Sequence, residues 1–139
     1  MSISYTGILL DKTSRSNLIG MLGDVIPPDW EVIAHHMTIT MGPLVHPQGK
    51  HDFSNVYELG SKVRMPVLQV GMDERAMAVI VQPPGGISRK IKFPHITVAV
   101  NRSGGGKPFH SNKIPLENFK DISHMNIVLS GEVFEQPNK

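Results

Sequence analysis

The chain has 139 residues, 40% of them apolar and 19% charged, with a formal net charge of +2 and an isoelectric point near 9.0. One globular domain spanning residues 1–139 fits that length; a disordered chain does not fit the composition, and a long nucleic-acid track would carry a denser Lys/Arg cluster. The absence of cysteine excludes disulfides, thiolate catalysis and Cys-based zinc sites.

In chain order, residues 2–10 (SISYTGILL) read as a first strand. No charged segment followed by an apolar stretch opens the chain, so no signal peptide is expected, and no apolar run is long enough to span a bilayer. Together with the lack of cysteine this suits a cytoplasmic protein. Residues 11–16 are polar, with Thr13 or Ser14 as candidate helix N-cap. Leu18, Ile19, Leu22, Val25 and Ile26 follow at helical spacing, and Pro27-Pro28 stops the helix. Residues 30–41 predict one long strand, and residues 42–55 a loop rich in Pro, Gly and His. A strand bent near Pro66 within 56–70, a turn at 71–75 and an apolar strand at 76–82 predict an antiparallel hairpin. After the break at 83–86, the basic run Ser88-Arg89-Lys90-Ile91-Lys92 leads into another strand, 94–100. Residues 101–111, with three consecutive glycines, predict a mobile loop. Residues 114–122 predict a connector, residues 125–135 a last strand, and the tail after Pro137 is expected to fray. Mostly strand, one helix and no βαβ alternation indicate an α+β fold with mainly antiparallel sheet.

Two of these strands carry the same short pattern, His36-Met37-Thr38-Ile39 and His95-Ile96-Thr97-Val98. Side chains two apart on a strand share a face, so each strand offers one imidazole and one hydroxyl on one side and two core residues on the other. If the strands lie together, a cleft with two histidines and two threonines results. Imidazoles titrate near neutrality, so one can accept a proton while the other donates one. Threonine hydroxyls can donate to non-bridging phosphate oxygens. The set suits phosphodiester cleavage in which a ribose 2′-hydroxyl attacks and the opposite oxygen leaves, a reaction that needs no metal and no cofactor.

Paired H-x-T-apolar motifs on two strands resemble the 2H phosphoesterase superfamily, which includes RNA 2′,5′-ligase-like proteins and the cyclic phosphodiesterase domains of tRNA ligases. The doubled histidine of Ala34-His35-His36-Met37-Thr38 and the Gly-rich stretch after the second motif are most similar to small phage and tRNA-ligase-like members, among them phage anti-CBASS nucleases that cleave cyclic oligonucleotide signals. The resemblance implies two pseudo-symmetric lobes of mainly antiparallel sheet around a central cleft. It also implies metal-independent phosphodiesterase chemistry on ribose-containing substrates: cyclic oligonucleotides, 2′-5′-linked oligonucleotides or RNA ends with 2′,3′-cyclic phosphate. Carried over, His36 and His95 are the catalytic acid/base pair, and Thr38 and Thr97 hold the phosphate. The chain departs from larger members in being short, with one well-signalled helix.

Further candidates are peripheral. Lys107 and Phe109 are candidate substrate contacts for phosphate and base, with a plain solvated loop as the alternative. Gly104-Gly105-Gly106-Lys107 lacks the spacing of a nucleotide P-loop. Tyr5 and Trp30 could stack on a base or belong to the core. Glu132 could orient a base or ribose or be a surface glutamate. His35, next to His36, is expected on the back face. Two rival functions are a metal-binding module built on His35, His36, His46 and His51, and a non-catalytic protein that sequesters a nucleotide signal. The rivals divide on chelator sensitivity and on whether the histidines are needed for turnover.

Overall fold

The computed structural model describes residues 2–138. Its strands are β1 (Ile3–Leu10), β2 (Glu31–Val32), β3 (His36–Met41), β4 (Lys62–Met72), β5 (Ala76–Val81), β6 (His95–Val100), β7 (Phe119–Asp121) and β8 (Val128–Pro137). One α-helix, α1 (Lys12–Leu22), and short 3₁₀ turns complete an α+β fold whose strand pairings are antiparallel. Among the described residues no helix is long and apolar enough to cross a membrane.

Six strands close on themselves in the order β3–β1–β8–β4–β5–β6, with β6 returning to β3. Alternation dictates what fills the ring: Ile8, Met37, Val67, Val79, Ile96 and Leu129, one from each strand, belong to one buried cluster. Helix α1 adds Leu18 and Leu22 to that cluster. Burying each such side chain contributes about 1.5–3 kcal/mol, so the ring and helix form one cooperative core. The ring divides into two halves of three strands, β3–β1–β8 and β6–β5–β4. Five register pairs, Lys62↔Glu132 to Pro66↔Val128, join the halves along β8–β4. Along β3–β6 a single pair, Met37↔Ile96, joins them.

The predicted hairpin is present as β4 and β5, with Asp73 Oδ1 accepting from the backbone N–H groups of Arg75 and Ala76 at its turn. Several expectations need correction. The helix ends at Leu22, leaving Val25 exposed, and neither Thr13 nor Ser14 is its N-cap: Asp11 holds that place, while Ser14 Oγ accepts from Ser130 N. The expected strand over 30–41 is two strands. Between the pairs Val32↔Ala99 and Met37↔Ile96, five steps of chain face three on β6, so two extra residues bulge out. Ala34 takes φ 42° there, a left-handed conformation that reverses the alternation. The expected mobile loop at 101–111 is tied down. Gly106 N donates to Asn101 O at 2.7 Å, Asn101 N to Arg75 O at 2.9 Å, and a Cβ at Gly106 would collide with the Arg75 carbonyl oxygen. The tail does not fray at Asn138, which donates from its backbone and side chain to Ser2; Lys139, the rest of that tail, lies outside the described residues.

Candidate active site

Met37 faces Ile96 across the β3–β6 seam, and both point into the core. Their neighbours in each motif therefore point out of the ring. His36, Thr38, His95 and Thr97 line one cleft of about 400 Å³ on that outer side. Both expectations about these four residues, shared face and shared groove, describe where the structure places them.

The His36 ring is held from several sides. Tyr5 stacks on it with centroids 4.6 Å apart, and Phe134 meets it edge-on at 6.1 Å. Gly7, paired with Thr38 across β1–β3, makes room: a Cβ there would lie 2.6 Å from the Met37 carbonyl oxygen and 3.3 Å from His36 Cδ2. Both ring nitrogens are engaged, Nε2 with Thr38 Oγ1 at 3.1 Å and Nδ1 with His35 Nδ1 at 2.8 Å. Burial pushes the His36 pKa down to about 4, and the neighbouring His35 and His95 push in the same direction.

His95 is oriented differently. Its Nδ1–H donates to the Phe93 carbonyl oxygen at 2.8 Å, since a carbonyl can only accept. In the neutral ring this fixes the tautomer and leaves a lone pair on Nε2. Burial lowers the His95 pKa, and the Phe93 bond partly opposes the shift. Thr97 Oγ1 donates to Pro108 O at 3.2 Å and so accepts from the buried Ser111 hydroxyl at 2.8 Å. The second motif is thereby tied to the 3₁₀ turn Pro108–Lys113. One motif thus keeps its hydroxyl on its own imidazole, and the other lends it to a loop.

The remaining predicted site residues divide. Phe109 lines the cleft and is 53% exposed, available as a flat apolar wall. Tyr5 supports His36 from beneath, and burial raises its pKa. Trp30 packs partly buried against the core. Lys107 is not brought to the cleft. The chain turns at Gly105, φ 81°, buries Gly106, and leaves the Lys107 side chain exposed while its backbone N–H donates to His110 Nδ1. Glu132 is not there either: it sits at the β8–β4 junction, opposite Lys62 in register and 3.9 Å from its Nζ. His35 is the reverse case. It is not on the back face but in the cleft, because the bulge at Ala34 spoils period two where two histidines stand together.

Sequence reasoning missed Asn112, Ser111 and Lys90. Asn112 and Lys90 line the cleft, and Asn112 Oδ1 is buried without a hydrogen-bond partner. An orphaned acceptor at a cleft wall is a ready contact for a ligand N–H. It stands just beyond the stretch read as loop, in a position that carries no sequence signal; only the 3₁₀ turn that folds over β6 brings it in. The four histidines of the metal-binding alternative fall into two pairs lining separate clefts, and no group of three or more His, Asp or Glu converges among the described residues.

No protein-family model matches the chain, and neither the curated proteins nor the solved structures contain a match to it.

Proposed function

We propose that the protein is a metal-independent phosphodiesterase of the 2H type, acting on ribose-containing phosphodiesters. The observation that carries this reading is the cleft itself: two imidazoles from adjacent strands, each with its own hydroxyl two residues on. The division of the ring into halves that meet at the two motif strands supports the two-lobed arrangement of that family.

A proton inventory gives each group a role. His95 Nε2 carries a lone pair and accepts the proton of the attacking ribose hydroxyl, the 2′-hydroxyl beside a 3′-5′ link or the 3′-hydroxyl beside a 2′-5′ link. That oxygen bonds to phosphorus, the bond to the 5′-oxygen breaks, and His36 delivers a proton to that leaving oxygen. The products are a 2′,3′-cyclic phosphate and a free 5′-hydroxyl. A second turn, with water as nucleophile, opens the cyclic phosphate. Thr38 donates to a non-bridging oxygen, and Thr97 does so once its hydroxyl hydrogen turns from the Pro108 carbonyl to the phosphate. Both imidazoles are held neutral in the free cleft, and the phosphodiester anion supplies the field that charges His36.

The deciding experiment incubates the protein, with EDTA present, with cyclic oligonucleotides, 2′-5′-linked oligonucleotides and RNA ending in 2′,3′-cyclic phosphate, and identifies products by mass. Turnover is expected on at least one. His36→Ala and His95→Ala should each lower it by roughly 10²–10⁴, the usual worth of a general acid or base, with little change in binding of a 2′-deoxy analogue. A wild type that binds these ligands and turns over none would make the protein a sequestering one, as a phage anti-defence protein could be. Turnover abolished by EDTA would overturn the metal-independent mechanism.

A further inference from the structure

A second cleft, of about 560 Å³, adjoins the first and shares Met41 and Lys90 with it. Its walls come from separate segments: Lys50 and the His46–His51 pair on one side, Arg89 and Lys90 of the basic run on the other. Lys50, Arg89 and Lys90 are exposed, and none has a carboxylate within ion-pair distance among the described residues. The cleft has one acidic wall residue, Asp52, and its Oδ1 already accepts from the backbone and hydroxyl of Ser54. Their positive charge converges on one ring: His51, Lys50 and Lys90 all act to lower the His46 pKa, after burial as the largest cause. His46 Nδ1 accepts from Gln48 N at 3.1 Å, which leaves Nε2–H in the neutral ring as a further donor. Three fixed cations against one carboxylate concentrate positive potential in a concave site, an arrangement that self-repels when empty and favours an anion.

We infer that this second cleft is a phosphate subsite, and that the substrate is an oligonucleotide with at least one phosphate beyond the scissile one. The inference rests on the two-histidine cleft as the place where the scissile phosphodiester sits. One phosphate between the histidines leaves the next along the strand to pass Met41 and Lys90 and meet Lys50 and Arg89. A mononucleoside cyclic phosphate would reach the first cleft and leave the second unused. The basic run that the sequence places just before the second motif thus reads chain length.

Calorimetric titration tests this with unlabelled 2′-deoxy ligands, a trinucleotide with two internal phosphates and a dinucleoside monophosphate with one. Wild type should bind the trinucleotide more tightly, by on the order of tenfold, and with a log–log salt slope steeper by about 0.7, the worth of one extra phosphate contact on a single strand. The double variant Lys50→Ala/Arg89→Ala, two exposed residues outside the proposed catalytic set, should erase both differences and leave dinucleoside binding unchanged. A length preference that persists in the double variant, or none in wild type, would overturn the subsite. Turnover of the ribo-dinucleoside monophosphate is measured alongside. If it is cleaved while the preference survives the double variant, the subsite falls and the catalytic reading stands. If no ribo-substrate is cleaved but the variant erases the preference, the subsite stands and the catalytic reading falls.

Discussion

Two histidines held neutral have a measurable consequence before any chemistry. Burial lowers the pKa of both His36 and His95, His36 to about 4, and a phosphodiester anion in the cleft favours the imidazolium. Ligand binding should therefore take up a proton. Affinity for an uncleavable 2′-deoxy dinucleotide should be greatest at low pH and fall as pH rises through the pKa of the complex. Titrations in buffers of different ionisation enthalpy check this, and His36→Gln should abolish most of the uptake. The threonines should separate as well. Thr38→Val removes a hydroxyl bonded only to His36, so turnover should fall while unfolding free energy stays within about 1 kcal/mol of wild type. Thr97→Val also strips the buried Ser111 hydroxyl of its partner, which adds roughly 1–3 kcal/mol of destabilisation. Urea melts of the two variants compare them.

At the scale of elements, the site depends on a bulge and a glycine. The bulge at Ala34 turns His35 and His36 toward one cleft, and Gly7 of β1 lets β3 and the His36 ring lie close. Gly7→Ala would press a methyl against the Met37 carbonyl oxygen, a backbone atom that cannot swing away. The variant should lose about 1–3 kcal/mol of stability, the usual cost of overpacking, and lose more turnover than that predicts, because the displaced ring is His36. Thermal melts and kcat together show both. This is also where the sequence was readable and where it was not. Period two correctly assigned faces to His36, Thr38, His95 and Thr97, since regular strands obey it. It misplaced His35 because no residue pattern announces a two-residue bulge around an alanine. Triple glycine suggested mobility at 104–106, yet Gly106 is there because a backbone carbonyl lies where its side chain would be. Charge and position in the chain single out Lys107 and Glu132, and neither property reports which way a side chain faces.

For the whole molecule, the cost of keeping imidazoles neutral appears as acid sensitivity. His36 has an ordinary pKa of 6.5 when unfolded and about 4 when folded, so the unfolded state binds the proton more readily between those values. Folding stability is complete above about pH 6.5 and is lost as pH falls through about 4, by up to about 3 kcal/mol from this group. The His95 shift acts in the same sense. Denaturant titrations across that range should show the decline, flattened in His36→Gln. The order of strands around the ring was not legible in the sequence: β1 pairs with β8 from the far end of the chain, and such long-range register leaves no local mark. The ring also has an uneven circumference. Its thinnest join, the one register pair between β3 and β6, runs between the two imidazoles. Breathing of the barrel should therefore concentrate where the two imidazoles face each other, so amide protons along that seam should exchange with solvent sooner than those of the β8–β4 join, and a ligand bridging the gap would act as a clasp that slows them.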